Sequence, residues 1–197
     1  MGSNYWMVVQ SKENFAVSSK LDFKVHGLRR THRRRAERMS PNDRVLYYIS
    51  TLRKWGATAT ITSSYFEDHS PIWTPIPRGE VYPYRVNTAP NMVLDEEDFI
   101  DALELAPRLE YVKRWAPEDW PMAFVDSLHL IPQRDFRLIE GEMRRLISNK
   151  RRRRHGHPRG EEDKQQGGSG DGLRGDEGPS PTEAQPAEDD STAPASR

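Results

Sequence analysis

The sequence predicts an α+β fold in which a small β-barrel carries flanking helices. Several short segments alternate apolar and polar residues with the period of two that is typical of strands. Turn signals such as Ser40–Asp43 separate these segments, and a long amphipathic helix follows them near residue 140. Short strands combined with few helices favour an α+β arrangement, and their number suits a small barrel.

Each expected element follows from its local pattern. Apolar alternation predicts strands at 5–9, 44–50, 57–63, 81–86 and 125–131, with further alternation over 21–25. Apolar residues at helical spacing predict helices at 95–106 and 133–149, and the arginine-rich segment 31–39 is expected to form a helical turn or an exposed loop. Ser11 is expected to cap a helix over 12–20, because a serine hydroxyl accepts a bond from the first turn. Pro83 places its strand at an edge or a bulge, since proline lacks the ladder donor.

The C-terminal part of the sequence differs in composition from the rest. Apolar residues make up only 35% of the chain, below the usual share of a globular protein. From Gly160 to Arg197 the only large apolar residue is Leu173, and Gly, Ser, Pro, Glu and Asp predominate. Such a segment cannot bury enough apolar surface to offset its ordering entropy. We therefore expect one domain over 4–150, followed over 151–197 by a basic run and a disordered acidic tail.

The zero net charge of the chain hides a division between these two parts. The segment 160–197 holds ten acidic and three basic residues, which leaves 20 acidic and 27 basic residues before it. A basic domain with an acidic tail suits a protein that binds a polyanion, and the tail can compete for the basic surface. Charge alone is equally compatible with ordinary solvation of the surface.

The sequence lacks the motifs of the common catalytic sites. It contains no cysteine, which excludes disulfides, thiol catalysis and cysteine metal sites. The P-loop pattern, the dinucleotide-binding fingerprint and the nucleophile elbow are absent, and the six histidines show no helical spacing of metal ligands. We therefore expect no catalysis, no cofactor and no metal. No segment reaches the ~20 apolar residues of a membrane span and no secretory signal is visible, so we expect a cytoplasmic location.

Six segments carry a resemblance to a known family, and they lie in order along the chain: Asn4–Val9, Lys12–Phe15, Val25–Leu28, Met39–Tyr48, Tyr82–Val86 and Lys113–Trp115. Their order and spacing resemble the EVE domain family, a branch of the PUA-like superfamily that is related to YTH domains. One departure is Asn42, which stands where glycine is usual.

The resemblance implies a PUA-like barrel whose pocket accepts one flipped-out base. EVE domains are similar to readers of modified cytosine in DNA or of modified bases in RNA. A flipped base needs aromatic faces for stacking and a few polar groups for its edge. The implied protein is a monomeric reader of DNA or RNA that performs no chemistry itself. Its implied partner is a nuclease or other effector encoded separately.

The residues expected to form the base pocket are Trp6, Ser11, Asn14, His26, Gly27, Leu28, Trp73, Arg114 and Trp115. Trp6 is equally compatible with a place in the core, and Ser11 and Asn14 also suit helix capping. His26 stands where related domains place a pocket tryptophan, although a simple surface histidine is the other interpretation. Trp73 lies in a polar, proline-rich loop, so we expect an accessible ring whose loss leaves the fold intact.

The residues expected to bind phosphates are Arg29, Arg30, Arg33, Arg34 and Arg35. Closely spaced arginines can neutralise successive phosphates of a nucleic acid. Two other functions stay open. One is a binder or enzyme that acts on a nucleoside-like small molecule, and the other is an interaction protein that works through its charged tail.

Overall fold

The computed structural model of the chain describes residues 2–74 and 81–155. The strands are Tyr5–Gln10 (β1), Val25–Leu28 (β2), Arg44–Ile49 (β3), Lys54–Ile61 (β4), Phe66–Glu67 (β5), Tyr84–Val93 (β6), Ile100–Asp101 (β7) and Leu128–Leu130 (β8). The α-helices are Lys12–Lys20 (α1), Arg33–Ala36 (α2), Ala102–Leu105 (α3) and Gln133–His155 (α4). Short 3₁₀ turns cover Arg30–His32, Glu96–Asp98, Ala106–Arg108 and Trp120–Phe124.

The strands form one curled, mixed sheet in the order β2-β6-β4-β3-β1-β8. Strands β1 and β3 are parallel, and the other neighbours in this path are antiparallel. The sheet is a half-barrel with helices packed against it, which confirms the predicted α+β class with a barrel-like sheet.

Both faces of the sheet are buried, and β3 contributes to each. Val45, Tyr47 and Ile49 pack in one cluster with Phe15 of α1. Leu46 and Tyr48 pack in a second cluster, whose other members include Phe136, Ile139 and Met143 of α4. The two sets alternate along the strand, because successive side chains point to opposite faces.

The helix expected at 95–106 is wrong, and tertiary pairing explains why. Ile100 and Asp101 pair with Trp55 and Lys54 of β4, so the chain is extended between the 3₁₀ turn Glu96–Asp98 and the short helix α3. The hydrogen bonds to β4 outweigh the local helical pattern.

The strand expected at 81–86 is correct in type but begins and ends later. It begins at Tyr84, directly after Pro83, which has no N–H to donate to the ladder. It continues to Val93, and the register shifts between Thr58 and Ala59 of the neighbouring β4. The extra residue is Asn91 of β6, directly after Pro90, where a regular ladder would require a donor that proline lacks.

The two helices with clear sequence signals are confirmed. The Ser11 hydroxyl accepts a hydrogen bond from the Asn14 backbone at 3.3 Å, so Ser11 caps α1 as expected. Helix α4 runs through the predicted domain boundary at residue 150 and reaches His155. The predicted acidic tail lies outside the described residues. No helix in the described part of the chain is long and apolar enough to cross a membrane.

The two end strands of the sheet, β2 and β8, are bridged by side chains from the segment that follows β2. Arg35 Nη1 donates to the Leu128 carbonyl at 2.6 Å and to Asp126 Oδ2 at 2.7 Å. His32 Nε2 lies 2.7 Å from Ser127 Oγ. These contacts, which we call the seam, hold the open side of the half-barrel together.

Candidate functional site

A cavity of about 350 Å³ lies at the seam, where β1 ends and β2 presents its free edge. This volume is in the lower part of the range for small-ligand sites, about 300–1,000 Å³. The described residues that line it are Val9, Gln10, Ser11, Asn14, His26, Gly27, Leu28, Arg29, His32, Tyr48, Ser50, Arg53, Trp73, Tyr82, Pro121, Phe124, Val125 and Ser127. The structure thus brings six of the nine predicted pocket residues to one cavity.

Trp73 forms one wall and packs directly on Gly27. A Cβ atom at position 27 would lie 2.3 Å from Trp73 Cζ3 and 2.9 Å from Tyr82 Cβ, so only glycine leaves room for the ring. Trp73 is only 5% exposed. The expectation of an accessible loop ring is therefore wrong, and the ring contributes to packing as well as to the cavity wall.

Three hydrogen bonds attach the Trp73 loop to α1. Trp73 Nε1 donates to Ser18 Oγ at 3.0 Å. The Asn14 amide donates to the Thr74 carbonyl at 3.0 Å and accepts from the Thr74 backbone N–H at 2.8 Å. Because both ends of the Asn14 amide are engaged, its side chain acts here as a support for the loop.

Arg85 holds the same loop from the sheet side. Its side chain is 3% exposed and forms an ion pair with Asp68. It donates to Ser70 Oγ at 2.9 Å and also bonds the Ser70 carbonyl. The guanidinium carbon lies 5.5 Å from the Trp73 ring centroid, within the distance of a cation–π interaction. The aromatic wall is thus fixed before any ligand arrives.

His26 is the buried polar group of the cavity that lacks a partner. The side chain is 3% exposed, and its Nδ1 has no hydrogen-bond partner among the described residues. Burial lowers the pKa of His26 to about 3, since a low-dielectric site disfavours the charged ring. The ring is therefore neutral at physiological pH. It lies 6.2 Å from the Trp73 ring and 5.6 Å from the Tyr47 ring, both in edge geometry.

The free edge of β2 also offers backbone groups to the cavity. The Thr88 N–H donates to the Lys24 carbonyl at 2.9 Å, and Gly27 pairs with Arg85. Because hydrogen-bonded and non-bonded pairs alternate in an antiparallel ladder, Gly27 belongs to a non-bonded pair. Its N–H and C=O therefore point away from β6, toward the open side of the sheet.

The mouth of the cavity is basic and partly apolar. Arg29 and Arg53 line it, and no acidic side chain does so within the described residues. Val125, which is 71% exposed, lies on the rim. An anionic ligand with an apolar ring matches these surroundings.

Three predicted pocket residues do not reach the cavity. Trp6 is 1% exposed in the cluster that contains Phe15, and its indole donates to Asp43 Oδ2 at 2.9 Å. Arg114 lies over Tyr111 and Trp115 at 6.0 and 5.7 Å, and Trp115 packs against the α4 side of the core. Trp6 and Trp115 contribute to packing, and we leave all three residues out of the candidate site.

The predicted phosphate-binding arginines fall into different environments. Arg29 is half-buried at the cavity, whereas Arg30, Arg33 and Arg34 are exposed. Arg33 pairs with Glu37 at 3.0 Å. Arg35 is engaged in the seam, so its guanidinium is committed to structure. Phosphate binding by the others stays a prediction.

The site also contains residues that the sequence did not reveal. Gln10 bonds Ser18 at 3.0 Å behind the Trp73 wall, and Arg53 enters from the β3–β4 turn with a positive φ of 54°. Phe124 and Val125 come from a 3₁₀ segment far along the chain. None of these positions has a local signal, because only the tertiary fold brings them to β2.

Comparisons with known proteins add the following. No protein-family profile matches the chain. A UPF0310 protein of Pyrococcus abyssi is 25% identical over 146 residues, which cover 70% of this chain and 97% of that protein. The Mmi1 YTH domain superposes with a TM-score of 0.55 at 10% identity, over 75% of this chain and 99% of that one. The YTH domain of Zygosaccharomyces rouxii MRB1, solved in complex with N6-methyladenosine RNA, superposes with a TM-score of 0.51 at 14% identity, over 71% and 85% of the two chains.

The fold is that of YTH domains. This agrees with the fold class that the sequence predicts. At these identities the likeness concerns the fold alone.

Proposed function

We propose that this protein is a nucleic-acid reader that accepts one base, preferably a modified one, in the cavity beside β2. The observation that carries the proposal is the neutral, buried His26 side chain: the residue lines a cavity walled by Trp73, and its Nδ1 has no partner among the described residues. A buried polar group without a partner is costly. A ligand with a hydrogen-bonding edge would supply the missing partner.

The cavity offers the two kinds of contact that a flipped base requires. Trp73 and Tyr82 line the cavity and pack edge to face against each other, with ring centroids 6.0 Å apart. A base would therefore stack on one of these rings and not between them, and base–aromatic stacking contributes about 1–3 kcal/mol. His26 and the Gly27 backbone provide a donor and acceptor set for the base edge. The smaller His26 ring stands where related domains place a tryptophan, so we expect tight caging of a methyl group to be weaker here.

The basic residues at the mouth would hold the strand that carries the base. Arg29 and Arg53 line the cavity, and Arg30 and Arg34 are exposed beyond β2. Guanidinium groups bind phosphates with paired hydrogen bonds. The fold is shared with YTH domains solved with RNA, which makes RNA the first polymer to test. The sequence motifs favour the EVE branch of the superfamily, whose members also include DNA readers.

A binding screen tests this proposal. DNA and RNA oligonucleotides of one sequence would be compared with and without N6-methyladenine or a methylated cytosine, at low and at physiological salt. We expect preference for one modified form and an affinity that falls steeply with salt. Equal affinity for all forms would remove the base-reading function. Tight, salt-independent binding of a free nucleoside would instead support the small-molecule alternative.

We also propose that the reader acts without catalysis, as a monomer, and through a separately encoded nuclease or other effector. A reader that does not cut its target needs another protein to act on what it recognises. Size-exclusion chromatography with light scattering checks the monomer, and incubation with the preferred oligonucleotide checks that the strand remains uncut.

A further inference from the structure

A second cavity, of about 290 Å³, lies between the end of β6 and the last turns of α4. Its floor is formed by Asn91–Leu94, which includes the half-exposed Val93. Ile147, Arg151 and Arg154 line its helical wall. These residues are three and four positions apart, so they share one face of the helix.

Asp95 and Asp98 also line this cavity, and Lys150, a further lining residue, neutralises part of their charge. Lys150 Nζ donates to Asp95 at 2.7 Å, to Glu97 at 2.7 Å and to Asp98 at 2.6 Å. These carboxylates raise the pKa of Lys150. Their oxygens are close enough together to hold a metal ion, but the ammonium group occupies that position. The contact fixes the end of α4 to the sheet.

The arginines beyond Lys150 form a dense positive surface. Arg151, Arg152, Arg153 and Arg154 are all exposed and lie within about one helical turn. Their combined charge exceeds the partial charge of roughly −0.5 at a helix C-terminus. None of these four arginines lines the first cavity.

The two cavities lie toward the same end of the sheet. Ser11 lines the first cavity, and its neighbour Lys12 forms an ion pair with Glu96. Glu96 directly follows Asp95, which lines the second cavity. A strand that occupied both cavities would pass over this surface, where Lys12 pairs with Glu96 and Lys150 pairs with Asp95.

We propose that the arginine-lined cavity at the end of α4 binds the phosphate backbone of the same nucleic acid whose base enters the first cavity. This inference rests on the proposed function. Arginine is suited to the task because its planar group bonds phosphate oxygens in pairs. The apolar floor at Met92 and Val93 can cover a sugar of the strand. The second site increases the affinity and the length of strand that the protein covers, whereas the first cavity selects the base.

The test compares oligonucleotide lengths. Arg151→Gln/Arg154→Gln in the full chain is matched with Arg108→Gln/Arg137→Gln, which removes the same charge from exposed positions elsewhere. Binding is measured with strands of about 4 and about 16 nucleotides, as both DNA and RNA. The first variant should lose affinity for the long strand and about 1.4 units of its salt slope, since each phosphate contact contributes about 0.7 on a single strand. Its affinity for the short strand and its base preference should not change.

Two results would overturn the second site. One is an unchanged salt slope in Arg151→Gln/Arg154→Gln. The other is an equal loss of affinity for the long strand in both double variants, because such a loss would reflect the overall charge of the protein alone. The proposed base pocket is judged separately, because it fails only if the wild-type protein shows no base preference with the short strand.

Discussion

His26 is buried, and its Nδ1 has no partner among the described residues, which has a consequence for stability. Replacement of a buried, unsatisfied polar group by an apolar one of similar size removes a desolvation penalty of about 1–3 kcal/mol. We therefore predict that His26→Leu raises the free energy of unfolding at neutral pH, measured by urea denaturation. The exposed His69→Leu serves as the control and should change it little. A clear loss of stability in His26→Leu would show that Nδ1 has a partner.

The same residue predicts a dependence of stability on pH. Burial lowers the pKa of His26 from 6.5 to about 3, so between these values the unfolded chain takes up a proton that the folded chain does not. Stability is therefore fully present above pH 6.5 and is lost as the pH falls, by up to about 1.4 kcal/mol per unit. Burial also lowers the pKa values of His32 and His129, which add to the trend. His26→Leu should reduce the slope between pH 7 and pH 5, and an unchanged slope would contradict the assignment.

Alanine substitutions at Gly27 and Gly141 form a matched test of how tightly the Trp73 ring is packed. Alanine at position 27 would press on the Trp73 ring, whereas at position 141 an added Cβ meets nothing within 4 Å. We predict that Gly27→Ala lowers the free energy of unfolding by about 1–3 kcal/mol through overpacking and weakens base binding. Gly141→Ala, in the middle of α4, should raise stability by up to about 1 kcal/mol. A neutral effect of Gly27→Ala would mean that the Trp73 ring moves freely.

At the scale of the elements, the seam between β2 and β8 depends on side chains. Arg35 donates to the Leu128 carbonyl and to Asp126, whereas its neighbour Arg34 is exposed and has no ion pair within the described residues. We predict that Arg35→Ala costs about 1 kcal/mol of stability and that Arg34→Ala costs almost none. For nucleic-acid binding, Arg34→Ala should reduce the salt slope. Equal stability of the two variants would show that the seam does not need Arg35.

The elements also show what the sequence could and could not predict. Strands β1, β3 and β4 and helices α1 and α4 have clear local periodicity, and the structure confirms them. The second half of β6 was missed because Pro90 interrupts the pattern and a bulge in the pairing compensates for it. Ile100 and Asp101 were assigned to a helix because their pairing with β4 has no local signal.

The residues of the candidate site could likewise be predicted only where a local motif marks them. Asn14, His26 and Gly27 lie in short motifs whose order implied a pocket, Ser11 lies between two of these motifs, and all four residues line the cavity. Trp6 lies in another of the motifs, but its indole is turned into the core toward Asp43. A motif indicates which strand is present, whereas the face on which each ring lies depends on packing that the motif does not encode.

At the scale of the whole molecule, charge is divided between a basic part and an acidic one. Residues 160–197 contain ten acidic and three basic residues. We predict that truncation after Arg159 leaves the melting temperature unchanged and tightens non-specific binding, because removal of a competing acidic segment frees the basic surface. Calorimetry would measure the melting temperature, and a salt titration of binding would measure the non-specific affinity. A melting temperature lower by several degrees would mean that the segment packs on the domain.

Base reading by the cavity beside β2 can be measured as a binding preference. It is the ratio of dissociation constants for modified and unmodified strands of one sequence, determined for the wild-type protein and for His26→Leu at two salt concentrations. We expect a clear preference in the wild type. In a folded His26→Leu variant the preference should be strongly reduced while the salt slope is unchanged, because the substitution leaves Arg29, Arg53 and the other arginines in place. An undiminished preference in that folded variant would place base recognition elsewhere on the protein.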